Sequence, residues 1–485
     1  MSTKLQINLL PTGVPGLDSV LGGGIPEFSF NILAGLPGCG KTTLAHQIMF
    51  SLATPKRPAL YITILGEPPI KMLRYQQQFD FFNADALNES VHFVNIYEET
   101  LNGDLDEVLA RVVKEVEILQ PALVIVDSFR ALVMSSQGIE NSEAKLQQFV
   151  QKLGMAMTVW EATTFLIGEY FKEADANPVF TVADGLIWLH QSVQRNSMVR
   201  KIEVRKMRGQ QTIPGLHSFR ITSHGIETFP PTLASPLLAG MSVKRKIGRR
   251  LSMGVAGLDA MLGGGLPLGY SLLIAGPSGS GKSMLASAFL AEGARCGETS
   301  VVAVFEQRPD QDLSPVLADL IDAGKVSIID TSAPDLSIDE IVHLLVREID
   351  RLKATRVVID SLSGLELALA PTFRDDFRES LLRLVMALKR AGVAVVMTSE
   401  LEDRYIDLRF SPYGTAFLTD GIIVQRYIEV ESRLRRLIAV VKLRSSAHSD
   451  ELREYSIDDA GIQIGATLPE QEGLLGGRPT TRKSN

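Results

Sequence analysis

Short apolar runs recur along the chain, each separated from the next by a longer stretch with helical spacing. In the first half they are FNILAG from Phe30, YITIL from Tyr61, LVIVD from Leu123 and TTFLIGE from Thr163. In the second they are SLLIAG from Ser271, VVAVF from Val301, RVVID from Arg356 and VAVVMTSE from Val393. Runs that are β-branched and nearly continuous predict parallel strands covered by helices on both faces. The expected fold class is α/β, with a doubly wound, mostly parallel sheet in each half.

The two halves are copies of one unit. GVPGLDSVLGGGIP at Gly13 returns as GVAGLDAMLGGGLP at Gly254, an offset of 241 residues that also relates Lys41 to Lys282. LVIVDS ending at Ser128 pairs with VVIDS ending at Ser361, and KMRG at Lys206 with KLRS at Lys442, at slightly different offsets that small loop insertions explain. A repeat of this length is a duplicated domain. Residues 1–230 and 251–465 are then the two domains. The segment 231–250, with Pro and Ser followed by Lys244, Arg245, Lys246, Arg249 and Arg250, is expected to be a solvated linker. The polar, Gly-rich residues 466–485 are expected to form a flexible tail.

Composition narrows the function classes. The chain has 485 residues, 45% of them apolar and 22% charged, which suits two cores, and its net charge of −7 offers no general pull on nucleic acid or anionic membrane. No apolar run reaches spanning length and the start lacks signal-peptide character, so a cytoplasmic location is expected. Cys39 and Cys296 are too few for a disulfide framework and are expected to be reduced and buried.

Two glycine loops carry the chemistry. Gly35-Leu-Pro-Gly38-Cys39-Gly40-Lys41-Thr42 and Gly276-Pro-Ser278-Gly279-Ser280-Gly281-Lys282-Ser283 both fit G-x-x-x-x-G-K-[ST]. Glycines let the backbone wrap phosphates, amides and a helix N-terminus attract their charge, and the lysine reaches the terminal groups. Each loop follows an apolar run and opens a helical pattern, as that chemistry requires. Thr43 and Met284 extend the candidate nucleotide contacts. Thr42 and Ser283 are candidate magnesium ligands, joined by Asp127 and Asp360 at the ends of later strands. ATP and magnesium are the expected cofactors.

The GVPGLD and GVAGLD leaders, both loops, the LVIVDS and VVIDS strands and the terminal KLRSSAHSDELREYSI are similar to the KaiC family of tandem RecA-like ATPases, over about residues 10 to 465. The resemblance implies a double-ring homohexamer with magnesium-ATP between neighbouring subunits. It also implies an acidic pair after the strand that follows the loop helix. Here Glu67 stands near that place in the first copy, and Glu306 is followed by Gln307 in the second, so each copy departs from the pair. By the same resemblance Lys206 and Arg208, and Lys442 and Arg444, would reach a neighbouring subunit's nucleotide.

The family's clock member phosphorylates adjacent Ser and Thr residues shortly before a T-D-x-I-I segment. That segment is Thr419-Asp-Gly-Ile-Ile423 here, but the acceptor positions align with Ala416 and Phe417, which have no hydroxyl, with Thr415 and Ser411 nearby. The leading expectation is an ATP-hydrolysing regulatory protein acting on a partner protein. An autokinase of serine and threonine, using Thr415 or Thr480, Thr481 or Ser484, is the alternative. A RecA-like DNA motor is a third class, disfavoured by acidic charge and the lack of a basic, aromatic-bearing groove.

Overall fold

The computed structural model describes residues 7–64, 69–100, 104–128, 142–170, 179–194, 196–231, 248–305, 315–329, 331, 335–374, 376–401, 417–430, 432–459, 461–468, 471–472 and 480–481. They belong to two compact units, Met1–Pro231 and Thr232–Asn485.

The first unit opens with a small ladder of β1 (Leu9–Leu10) on β2 (Ile25–Pro26). Its main sheet holds β3 (Phe30–Gly35), β4 (Ala59–Thr63), β5 (Val91–Asn95), β6 (Leu123–Asp127), β7 (Thr163–Glu169), β8 (Gly185–Gln194), β9 (Ser197–Met207), β10 (Leu216–Thr222) and β11 (Gly225–Phe229). The order across it is β11-β10-β9-β8-β3-β7-β6-β4-β5. From β5 to β8 every neighbour is parallel, and β9, β10 and β11 continue antiparallel.

The second unit repeats the plan. A ladder of β12 (Arg250–Leu251) and β13 (Leu266–Pro267) precedes β14 (Ser271–Gly276), β15 (Ser300–Val304), β16 (Val326–Ile329), β17 (Arg356–Asp360), β18 (Ala394–Glu400), β19 (Gly421–Val430), β20 (Arg433–Leu443), β21 (Arg453–Asp458) and β22 (Gly461–Thr467). The order is β16-β15-β17-β18-β14-β19-β20-β21-β22. Both sheets are therefore mostly parallel, as the continuous apolar runs imply.

Strand alternation sorts each run into two cores. On β4 and β6, Leu60, Ile62, Val124 and Val126 face one cluster with Val108, Val112 and Val116 of the Leu105–Leu119 helix. Tyr61 and Ile125 face the other, with Leu44 and Ile48 of the Lys41–Leu52 helix. The same parity places Asp127 on the face of the helix that follows the glycine loop. In the second unit Val302 and Val358 share that face with Leu285 and Phe289.

Two sequence expectations change here. Arg250 is part of the folded second unit: it lies in β12 and donates to the Leu262 and Gly265 carbonyls at 2.9 and 2.7 Å, so its charge caps backbone groups. Cys296 is exposed, because it falls at the C-cap of the Lys282–Arg295 helix beyond its inward face. Within the expected tail, β23 (Gln471–Glu472) pairs with β24 (Thr480–Thr481).

Candidate functional site

Both glycine loops sit at the carboxyl end of a central strand and lead straight into a helix. Gly40 and Gly281 occupy the N-cap positions with φ of 105° and 93°, in the left-handed region that favours glycine. A Cβ at either would also strike an isoleucine side chain, 2.8 Å from Ile221 Cδ1 or 2.9 Å from Ile457 Cδ1. Leu36, Gly38, Ser278 and Gly279 form the exposed rims, whereas Cys39 and Ser280 are buried beneath them.

The helix N-termini are left open for an anion. Neither the Lys41–Leu52 nor the Lys282–Arg295 helix has a side-chain cap or an acidic residue in its first turn. The long Leu105–Leu119 and Ile338–Leu352 helices of the same units are closed: Asp104 accepts from the Asp106 and Glu107 amides, and Ser337 with Glu340 forms a capping box. Uncapped first-turn amides and a positive helix end are what a phosphate group takes up, so the loops fit a nucleotide's phosphates.

The loop lysines are held by the loops themselves. Lys41 Nζ donates to the Gly35 and Leu36 carbonyls at 3.1 and 2.7 Å and reaches Cys39 Sγ at 3.8 Å. Lys282 Nζ donates to the Pro277 carbonyl at 2.8 Å. Both lysines are buried. Burial pushes the Cys39 thiol up, against the pull of Lys41, so it is a packed thiol and not an activated one. Ser280 holds the second loop differently, donating to Gln425 Oε1 at 3.1 Å and accepting at its carbonyl from Tyr455.

The strand-end aspartates stand beside these helices. Asp127 Oδ2 accepts from Thr42 Oγ1 at 3.0 Å and from the Tyr61 hydroxyl at 2.5 Å. Burial raises the Asp127 carboxyl above its usual range, opposed by these two hydroxyls and Lys41 and reinforced by Glu169. In the second unit Asp360 Oδ1 accepts from Thr398. The Asp127 carboxylate beside the Thr42 hydroxyl suits magnesium, which keeps waters and takes phosphate oxygens for its remaining positions.

The sequence reading missed Tyr61, Thr398 and two glutamates. Glu169 and Glu400 close the strands next to the loop strands, in register with Gly35 and Gly276, the first glycine of each loop. Their signal was the final E shared by TTFLIGE and VAVVMTSE. Glu67, Glu306, Gln307, Ser411, Thr415, Ala416, Ser484, Lys244, Arg245 and Lys246 lie outside the described residues.

The Lys-x-Arg pairs lie at the other end of the sheet from the loop of their own domain. Lys206 pairs with Leu186, which pairs with Ile32 near the start of β3, whereas the loop begins at its end. Lys206 Nζ donates to the Phe180 and Thr181 carbonyls at 3.3 and 3.2 Å, and Arg208 bridges to Asp184 at 3.1 Å. Lys442 Nζ donates to the Thr419 carbonyl at 2.7 Å and Arg444 to that of Phe417 at 2.6 Å. Desolvation lowers both lysines, with the adjacent arginine adding to it. Asp184 and Asp420 anchor the arrangement, accepting from the Phe30 and Ser271 amides at 3.0 Å in each case.

This geometry meets a family match of the same extent. A family model for the KaiC ATPase covers residues 10–232 and 251–468. The chain belongs to the KaiC family of ATPases. The "Circadian clock oscillator protein KaiC" of Prochlorococcus marinus (strain MIT 9313) is 25% identical over 492 residues, spanning 99% of this chain and 97% of that protein. Its counterpart in Rippkaea orientalis (strain PCC 8801 / RF-1) is 26% identical over 493 residues, with 99% and 93% covered. "Circadian clock oscillator protein KaiC 1" of Synechocystis sp. is 25% identical over 488 residues, with 98% and 92% covered. As a KaiC-family chain it carries two tandem RecA-like ATPase domains, and no helix among the described residues is long and apolar enough to cross a membrane.

Proposed function

We propose that this protein is a magnesium-dependent ATPase that assembles as a double-ring homohexamer and passes its nucleotide state to a partner protein. The observation that carries this is the pair of open helix N-termini, each with a buried lysine and a nearby strand-end aspartate. Lys41 and Lys282 would hold the terminal phosphates, and Thr42 with Asp127, and Ser283 with Asp360, would hold magnesium. Magnesium, when bound, neutralises charge building on the bridging and terminal phosphate oxygens.

Hydrolysis needs positive charge facing the transferring group and a carboxylate that orients water. Lys206, Arg208, Lys442 and Arg444 are remote from the loop of their own domain, and Arg208 and Arg444 keep exposed side chains. They supply the charge to a neighbouring copy, so turnover depends on assembly. Glu67 and Glu306 are the proposed water-orienting carboxylates.

Transfer of phosphate to the chain itself is disfavoured at the aligned acceptor. Phe417 stands there with the Arg378 guanidinium 4.7 Å over its ring, and phenylalanine offers no nucleophilic oxygen.

Incubation with γ-labelled ATP and magnesium, with mass measured in parallel, tests the proposal. Phosphate release by a hexamer, with no stable label on protein, is the expected outcome. A monomer in saturating ATP, or label retained on a Ser or Thr peptide, overturns it.

A further inference from the structure

The two strand-end aspartates occupy matching places, yet different strands hold them. In the first domain Tyr61 on β4 bonds Asp127, while Ile167 stands directly opposite Asp127 on β7. In the second domain the β4 position of Tyr61 is taken by Val302 of β15, which pairs with Val358 as Tyr61 pairs with Ile125. The hydroxyl comes instead from β18, where Thr398 fills the place of Ile167: Thr398 pairs with Ile274, as Ile167 pairs with Leu33. A hydroxyl has moved from one neighbour of the aspartate strand to the other.

We propose that Tyr61 and Thr398 are the positioning residues of the two magnesium carboxylates, each serving only its own domain. This rests on the assignment of Asp127 and Asp360 as magnesium ligands. Asp127 is a diagonal neighbour of Tyr61 on the same sheet face, a separation an aromatic side chain spans. The phenol is fixed where it must be. Its ring lies 4.6 Å from that of His46 and 5.2 Å from that of Phe93, and the side chain is fully buried. Tyr61 and Thr42 converge on Oδ2, which sets the plane of the carboxylate relative to the loop helix.

Thr398 does the same by a shorter route. It is fully buried and lies beside Asp360 on the adjacent strand, so a short hydroxyl reaches directly. Hydrogen bonds to a metal-bound carboxylate raise metal affinity by fixing its orientation, and their loss costs roughly 10–100-fold. Neither residue touches nucleotide in this scheme.

The test uses the full chain and reads cation binding, not turnover. Lys282→Ala isolates the first site and Lys41→Ala the second, each compared with its own parent. Mn2+ is titrated against a fluorescent ATP analogue, with bound Mn2+ followed by paramagnetic resonance. Tyr61→Phe should raise the half-saturating Mn2+ about 10-fold at the first site and leave the second within twofold. Thr398→Val should do the reverse, and Thr398→Ser should restore the parent value. If Asp127→Asn and Asp360→Asn weaken Mn2+ binding while Tyr61→Phe and Thr398→Val do not, the positioning role is overturned and the ligand assignment stands. If the two Asn variants bind Mn2+ as the parents do, the ligand assignment itself fails.

Discussion

Arg356 Nε donates to Glu298 Oε2 at 2.6 Å inside the second domain, in a position that the first domain fills with Leu123. The guanidinium also donates to the Ser252 and Phe289 carbonyls at 2.7 and 2.8 Å and lies 4.4 Å over the Phe289 ring. A Cβ on Gly293 would come within 2.6 Å of Arg356 Cδ, so the helix is kept bare to admit the side chain. Removing one member of a buried pair leaves a charge and two carbonyls uncompensated, at a cost of about 3–5 kcal/mol. Arg249 also bonds Glu298 and moderates the loss. Arg356→Ala should destabilise the second domain by about 3 kcal/mol, and Arg356→Leu by less. Both tryptophans, Trp160 and Trp188, belong to the first domain. The loss should therefore appear in circular dichroism during urea unfolding while the tryptophan transition stays in place.

The first domain should lose stability in mild acid. His46 is enclosed on the loop helix, and burial pulls it down to about 4 from 6.5. Gln76 opposes the shift, although neither ring nitrogen has a hydrogen bond of good geometry. The unfolded chain takes a proton near 6.5 and the folded domain holds it off until about 4. Between those values the unfolded state binds more protons, so stability falls as pH falls, by up to about 3 kcal/mol over the window. Tryptophan-detected unfolding at pH 7.5 and pH 4.5 checks this. His46→Phe should flatten the difference between the two pH values.

Binding to the loops should divide cleanly between the lysines. Each ammonium is buried, and a charge-assisted hydrogen bond contributes about 1.5–3 kcal/mol, or roughly 10–100-fold in affinity. Equilibrium binding should therefore resolve two classes of site, with Lys41→Ala weakening one and Lys282→Ala the other. A single variant that removes both classes would show that the sites are not independent.

Legibility differed between backbone-driven and side-chain-driven features. The parallel strands and both loops could be read because each follows from local chemistry: a continuous apolar run, or glycines at fixed spacing before Lys-Thr and Lys-Ser. The antiparallel extension from β9 to β11 and from β20 to β22 was less visible, since its strands mix exposed and buried positions without a clean period. Tyr61 and Thr398 were hidden inside runs that read simply as core. Whether a core hydroxyl meets an aspartate depends on register between strands far apart in sequence, which one strand's pattern does not contain. Asp184 and Asp420 were likewise visible as residues but not as anchors, because their partners, Phe30 and Ser271, are 154 and 149 positions away.

Arg208 should act on a neighbour and not on its own loop. It bridges to Asp184 just before β8, while the loop of its domain lies past the far end of β3. Removing one donor that stabilises a developing charge lowers turnover by about 100-fold or more. In an Arg444→Ala background, which leaves the second loop able to bind ATP, Arg208→Ala and Lys41→Ala chains should each be nearly inactive. Mixed subunits distinguish the two arrangements. A site built from one chain's loop and the next chain's arginine is intact when an Arg208→Ala chain precedes a Lys41→Ala chain, which random one-to-one assembly yields at about a quarter of positions. Turnover should recover to about that fraction after the two preparations are dissociated and reassembled together. If Arg208 served its own loop, no mixed site would be complete and no activity would return.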